Sequence, residues 1–393
     1  MNTTRISTYL PPWANGRGLR LAGSDEDTVT LAVSCGLDAL AGASCQRVVL
    51  VTRQPALIDG GSAAVLCAGL GLAATTDVSE RLGGAAAALD AAACAVPGTL
   101  VIGVDLEDGA AAGALLVGEA QVLSLRTRIQ RSLPQRTRQL DGSLGQDDDA
   151  RLMRERGLRA ALDAAALDGK PLAIAGVSAS EAKGFCAAPP AALPCRGAAS
   201  PFFALAALCD AGATGLVAAA DQGTLAVAEL NAAAAVHRRE PPAQPPAKQT
   251  DNPGSPLKIS LAAYDRAFDA KLRWQAGRCN SCATLAMPPR HRCLNCGAEG
   301  DWQLSPLPRS GEIYTAATIH VPVPGLKTPY SLALVQLDGT DVRVLVTVTD
   351  SLPGAVAIGG RGTLVFRRIA LRSGVPDYGY AFAPATTTPS VEN

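Results

Sequence analysis

Apolar residues recur with two periods along the first 235 residues, and the succession of those periods occurs twice. Leu82, Ala86, Leu89, Ala93 and Val96 stand at helical spacing and predict one buried helix face. That stretch, residues 83–119, continues into an apolar strand at 100–104, a polar turn at Asp108 and Gly109, and a second strand at 114–117. Residues 197–230 repeat the order: a helix around 203–209, a strand at 215–220, a turn at 221–223 and a strand at 225–230. A second shared piece is a helix leading into a strand, 28–41 then 48–51, matched by 158–167 then 172–175. Two copies of one α/β unit side by side predict a pseudo-twofold domain in which helices cover sheets.

The pattern stops at residues 237–257. That stretch holds six prolines with Lys, Gln, Asp and Asn and almost no large apolar residue, so it reads as a linker that cannot bury enough surface to fold. Beyond it the pattern predicts a short helix and then strands at 313–321, 331–337, 342–348 and 362–368, separated by Gly, Pro and Asp turns. Strands this short and closely spaced predict a small closed β-barrel. The expected division is 1–235, a linker at 236–258, a helix and metal-binding ribbon at 259–304, a barrel at 305–386 and a tail at 387–393.

Four cysteines supply the ribbon. Cys279, Cys282, Cys293 and Cys296 form C-x-x-C, ten residues, C-x-x-C, the spacing of two knuckles that close a tetrahedral zinc site. With four thiolates no ligand position is left for water, so the zinc is expected to be structural. The other seven cysteines (35, 45, 67, 94, 186, 195, 209) lie scattered among apolar residues, as small hydrophobes do in a reducing cytosol.

Composition narrows the classes. A chain of 393 residues is expected to hold about two or three domains. Its formal charge is zero, so no global excess draws it to nucleic acid or to an acidic membrane surface. Residues 1–10 lack an apolar run, which argues against a signal peptide, and the longest uncharged run, 60–76, is short of a bilayer span. A cytoplasmic location is the expectation.

The segment Cys279-Asn-Ser-Cys282, Pro288-Pro289-Arg290, Cys293-Leu-Asn-Cys296-Gly297, Trp302 and Gly311-Glu-Ile-Tyr314-Thr315 resembles the acyl-CoA-associated zinc-ribbon/OB-fold family, over about 260–384. Members of that family are accessory domains that work beside a thiolase-like protein, and Arg278, Arg290 and Arg292 become candidate contacts to a CoA thioester. The first region resembles the thiolase superfamily, nearest the hydroxymethylglutaryl-CoA synthase and 3-oxoacyl synthase branch. The stretches that carry it are 25–33 (Asp-Glu-Asp-Thr-Val-Thr-Leu-Ala-Val), 62–66, Asp77-Val78-Ser79, 109–118 and Gly197-Ala-Ala-Ser-Pro201. The two resemblances imply a layered αβαβα thiolase-like domain followed by a rubredoxin-like zinc ribbon and an OB-type barrel.

The chain departs from the thiolase pattern at every chemical position. Where the family carries its nucleophilic cysteine, a few residues after Asp77-Val78-Ser79, stands Leu82. The strand that should end in a histidine ends in Ala175-Gly176, and the chain's three histidines, His237, His291 and His320, lie elsewhere. Cys195 and Arg196 replace an Asn or second His, and Asp221-Gln222-Gly223 replaces the glycine-rich loop. Cys67 and Cys94 read as packing residues. Cys195, beside a cation and ahead of a helix, is the outside candidate for a nucleophile, because both features lower a thiol pKa. Arg126, Arg128, Arg131, Arg136 and Arg138, with Asp147, Asp148 and Asp149, read as a solvated surface, a partner or phosphate contact being the alternative.

Three functions follow. The first is a non-catalytic subunit that forms a hetero-oligomer with an active thiolase and assists acyl-CoA binding. The second is a self-sufficient hydroxymethylglutaryl-CoA synthase-like or ketoacyl synthase-like acyltransferase using Cys195. The third is nucleic-acid binding by the barrel with Lys271, Arg273, Arg278, Arg290 and Arg292, disfavoured by neutral charge and by few aromatics beyond Tyr314 and Phe366.

Overall fold

A computed structural model describes all residues except 1–2, 58–60, 134, 140, 142, 148, 252–257, 259, 322–325 and 386–393. The expected tail at 387–393, Asp148 and part of the expected linker therefore lie outside the described residues. In chain order the elements of the α/β part are β1 (Arg5–Tyr9), α1 (Thr28–Leu40), β2 (Arg47–Thr52), α2 (Ala63–Leu70), β3 (Asp77–Leu82), α3 (Ala85–Cys94), β4 (Thr99–Asp105), β5 (Ala111–Leu116) and β6 (Leu123–Ile129). They continue with β7 (Arg136–Arg138), β8 (Leu144–Gln146), α4 (Ala150–Arg156), α5 (Leu158–Ala165), β9 (Ala173–Ala175), α6 (Ala179–Ala182), α7 (Ser200–Asp210), β10 (Gly215–Asp221), β11 (Thr224–Leu230) and β12 (Ala235–Arg239). The ribbon and barrel add α8 (Leu261–Leu272), β13 (Gln275–Cys279), β14 (Leu285–Ala286), β15 (Trp302–Pro306), β16 (Ser310–Ile319), β17 (Tyr330–Leu337), β18 (Arg343–Thr347), β19 (Arg361–Arg372) and β20 (Val375–Pro384).

The chain divides into two compact units. The first comprises Met1–Leu21, Leu31–Ala63 and Thr75–Ala243, and the second Ala22–Thr30, Ala64–Ala74 and Gln244–Asn393.

In the first unit one sheet runs β12-β1-β5-β4-β2-β3 and another β6-β11-β10-β9. Helices α3 and α7 are apolar around most of their circumference, Asp90 and the terminal Ser200 and Asp210 aside, which commits them to the interior. They share one core with Val101 and Leu115 of the first sheet and with Val217, Ala219, Ala226 and Ala228 of the second. This is the duplicated arrangement, with helices covered by sheets, that the repeat predicted. The small residues let backbone approach backbone: a Cβ on Gly103 of β4 would lie 2.0 Å from the Ala198 carbonyl oxygen, and one on Gly113 of β5 2.5 Å from Phe202 Cβ.

Two expectations are corrected here. Strand β5 begins at Ala111 rather than at 114, because all its residues are buried and small and give no alternation to read. The expected linker opens with a strand: β12 pairs in parallel with β1 from Arg5↔Ala235 to Tyr9↔Arg239, so its backbone is satisfied by the sheet despite polar side chains.

In the second unit, β14-β13-β15 form the ribbon sheet and β18-β17-β16-β19-β20 a five-stranded sheet. A parallel bridge between Val348 and Phe382 joins the chain beyond β18 to β20 and closes the barrel. This unit also takes in residues from early in the chain. Arg367 on β19, 1% exposed, meets Asp350 at 2.9 Å, Glu26 at 3.4 Å and Asp25 at 3.8 Å. The Tyr378 hydroxyl donates to Asp27 at 2.8 Å, and Arg273 donates to the Leu72 carbonyl at 2.7 Å. A buried guanidinium requires such carboxylates. Residues 22–30 and 64–74 thus group with the C-terminal part, beside the segments 259–304 and 305–386 expected of the ribbon and barrel.

Candidate functional site

Each cysteine knuckle is a tight turn with the same construction. After Cys279 and Cys282 the Ala283 N–H donates to the Cys279 carbonyl at 2.9 Å, and after Cys293 and Cys296 the Gly297 N–H donates to the Cys293 carbonyl at 3.0 Å. Ala283 and Gly297 both sit in the left-handed region, with φ of 61° and 78°. The turns face one another, and the four Sγ atoms all lie within 4.8 Å of one another. Asp301 braces the first knuckle by accepting from Asn280 Nδ2 at 2.8 Å and Ser281 Oγ at 2.9 Å.

Thr284, through its hydroxyl and backbone N–H, holds the Cys282 thiol down to about 6. The Cys296 thiol, pulled down by the Ala298 N–H, is pushed further the other way by Cys282 and Cys279, up to about 12. Sulfurs this close, with at least one poised as thiolate, can hold a soft divalent metal, and the donor set fits a closed zinc ribbon.

Arg290 lines a cavity of about 70 Å³ beside the knuckles, Arg292 pairs with Glu299 at 3.8 Å, and Arg278 is exposed on β13. The proposed nucleic-acid surface is neutralised in part: Lys271 pairs with Asp377 and Arg273 with Asp269. Tyr314 is exposed with Arg343 stacked 3.7 Å from its ring centroid, whereas Phe366 is buried and offers no platform.

The second site is the centre of the first unit, where the thiolase-like pattern places its chemistry. Leu82 closes β3 and is 73% exposed, with Gly83 and Gly84 between it and α3. The amino end of α3 is already occupied. Asp221, at the end of β10, accepts from the Ala85 and Ala86 N–H groups at 3.2 and 3.0 Å. Asp105, at the end of β4, does the same for α7, accepting from Ala198 and Ala199 at 2.9 and 3.1 Å. Each half therefore caps the buried helix of the other. Arg53 lies 4.0 Å from Asp105, and a Cβ on Gly84 would come within 2.4 Å of the Asp221 carboxylate.

Sequence reasoning passed over Asp105 and read Asp221 only as part of an altered glycine-rich loop, although both repeats end their central strand in Asp, at Val104-Asp105 and Ala220-Asp221. Where the pattern expects a histidine, Gly176 lies so close to the Ala220 carbonyl that a Cβ would stand 1.9 Å from its oxygen. None of the three histidines lines the cleft above α3.

Cys195 requires correction. It precedes α7 by five residues and is 2% exposed, packed with Leu10, Ala111, Ala199 and Phe203. Burial, and then the neighbouring Asp105, push its thiol well above the usual range, overriding the cation and helix end expected to lower it. Arg126, Arg128, Arg131 and Arg136 are exposed, as expected of a solvated surface, and part of the run borders the cleft: Arg128, Arg131 and Arg136 line it, Arg126 pairs with Glu229 at 3.5 Å, and Asp149 caps α4 through the Leu152 N–H.

The capping pair makes stability pH-dependent. Burial pushes Asp105 from 3.8 up to about 6, against the pull of Ala199, Arg53 and Ala198. A raised carboxyl contributes stability that is fully present below 3.8 and is lost as pH rises through about 6. The first unit is expected to lose roughly 3 kcal/mol from this group across that window, with Arg53, Asp221 and Cys195 facing it. Denaturant titrations from pH 4 to 7 should show the slope, and Asp105→Asn should flatten it; an unchanged slope in the variant would contradict the assignment.

The fold and sites define a chain with a duplicated α/β unit, a four-cysteine ribbon and an OB barrel. Residues 304–367 match the family described as ChsH2, C-terminal OB-fold domain. Over 111 residues the chain is 32% identical to a DUF35 domain-containing scaffold protein of Methanocaldococcus jannaschii, a match covering 27% of this chain and 78% of that protein. The chain belongs to this DUF35-domain family. It is also 34% identical over 84 residues to a probable enoyl-CoA hydratase alpha subunit of Thermomonospora curvata, covering 21% of this chain and 25% of that one. Among solved structures, 3-oxoacyl-[acyl-carrier-protein] synthase III from Aquifex aeolicus VF5 aligns with a TM-score of 0.45 and 18% identity, over 57% of this chain and 98% of that one. No helix among the described residues is long and apolar enough to cross a membrane.

Proposed function

We propose that this chain is a non-catalytic subunit of a thiolase-type assembly that cleaves or condenses acyl-CoA thioesters. The nucleophilic cysteine comes from an active thiolase partner, and zinc in the Cys279, Cys282, Cys293, Cys296 site holds the ribbon in shape. The observation that carries this reading is the condition of the reaction centre. A thioester carbonyl needs a thiolate to attack it and free N–H donors for the oxyanion. Here the first position is Leu82, and Asp221 has taken the α3 donors with a charge that repels an oxyanion. A duplicated scaffold without its chemistry remains useful as a surface.

Two features support partnership. Strand β3 is the outer strand of its sheet and mostly exposed, and such an edge is a template for pairing. The relatives described as a scaffold protein and as the alpha subunit of a probable enoyl-CoA hydratase fit an accessory role, the second within acyl-CoA chemistry.

Co-expression with candidate thiolases, followed by size-exclusion chromatography, tests the assembly. A co-eluting complex whose turnover falls when this chain is withheld is expected. A chain that elutes alone with every candidate, beside a partner indifferent to its presence, would sink the proposal.

A further inference from the structure

We propose that the cleft above the amino end of α3 is a binding site for a phosphate-bearing polyanion, held by guanidinium groups from β3, β6 and the loop beyond β6. The cleft encloses about 760 Å³ within the first unit, a volume suited to a small ligand rather than to a protein surface. Its cations are Arg53, Arg81, Arg128, Arg131, Arg136 and Arg196, with no lysine among the lining residues. Its carboxylates are Asp90, Asp108 and Asp221.

Their arrangement matters more than their number. The Asp90 side chain, 8% exposed, takes Arg81 at 2.8 Å and Arg128 at 3.0 Å. One carboxylate thus neutralises one of two cations, holding Arg81 by a hydrogen bond and Arg128 by an ion pair, and leaves one positive charge over. The stem of Arg131 crosses the β10–β11 turn, where a Cβ on Gly223 would lie 3.2 Å from its Cγ. Among the described residues the Arg131 guanidinium has no ion pair. Arg136 is balanced by Glu107, and Arg53 faces Asp105, so these two offer donors rather than net charge. Arg196 faces Glu181, so the surplus sits at Arg81, Arg128 and Arg131, against which Asp108 sets one carboxylate.

Guanidinium forks match phosphate oxygens two at a time, and several forks in one cleft suit a group that spreads more than one negative charge over many oxygens. A single carboxylate would satisfy one fork and leave the others as they are. Asp221 bars an anion from the helix end itself, so the ligand lies along the arginines. The site retains a ligand rather than reacting with it, and it goes beyond the subunit reading without depending on a partner.

Calorimetric titration of the full-length chain with inorganic pyrophosphate tests the site. Saturable one-site binding that weakens with added salt is expected, falling about tenfold or more in Arg128→Gln/Arg131→Gln. Arg131→Gln alone breaks no ion pair of the fold and is expected to weaken binding by itself, so the test stands even if the double variant unfolds. Coenzyme A, ADP and pantetheine serve as competitors. Displacement by the first two but not by pantetheine assigns a nucleotide phosphate, and displacement by none assigns free diphosphate; both keep the phosphate site. Absence of pyrophosphate binding, or undiminished affinity in Arg131→Gln, overturns it. Only the chain and the titrant are present, so failure here leaves the subunit reading intact, and the reverse also holds.

Discussion

Stripping the metal from the four-cysteine site is expected to unfold the ribbon spanning β13 to β15. Its sheet has strands of 5, 2 and 5 residues, and β15 is largely exposed, so little apolar burial can hold it. Structural zinc sites contribute about 10–16 kcal/mol of apparent binding free energy in small peptides, far more than such a sheet supplies by packing. Metal analysis should return one zinc per chain. Strong chelation, or Cys282→Ser, should abolish that zinc and expose amides of the ribbon to hydrogen exchange. Trp274, 5% exposed and packed at a 51° tilt against Tyr380 with ring centroids 4.9 Å apart, reports whether the disturbance spreads into the barrel. A Cys282→Ser chain with undiminished metal content and unchanged exchange would refute the site.

Arg367→Ala is expected to cost the second unit about 3–5 kcal/mol, because truncation leaves carboxylates at Asp350, Glu26 and Asp25 without their shared cation. Arg367→Lys should recover little, since one ammonium cannot reach three carboxylates as the planar fork does. Hydrogen exchange would locate the damage in 22–30 and in β19 together, as expected if these residues belong to one compact unit. Loss confined to β19, or a total change under about 1 kcal/mol, would count against that.

What was legible in the sequence was local. The knuckles were plain because zinc ligation fixes the spacing of Cys279, Cys282, Cys293 and Cys296 within each turn. The repeat was plain because α3 with β4 and α7 with β10 each write their burial into adjacent residues. Strand β20 was missed because six consecutive residues, Asp377 to Phe382, are buried and leave no alternation. The reciprocal caps and the Arg367 cluster were missed for a different reason: Asp221 reaches the Ala85 N–H across 136 positions, and Tyr378 meets Asp27 across 351. No spacing rule operates over such distances. The burial of Cys195 belongs to the same group, since its thiol is governed by residues that only folding brings beside it.

That the chain carries scaffold and zinc but not the acyl group is tested most directly by intact-protein mass spectrometry. The chain alone, and the chain with its thiolase partner, would be incubated with a range of acyl-CoA thioesters and both polypeptides weighed. The account predicts an acyl adduct on the partner only, with this chain unchanged in both samples and Leu82→Cys still unmodified because Asp221 holds the α3 donors. A stable thioester on this chain, lost in Cys195→Ala, would contradict the account and make it an acyltransferase in its own right.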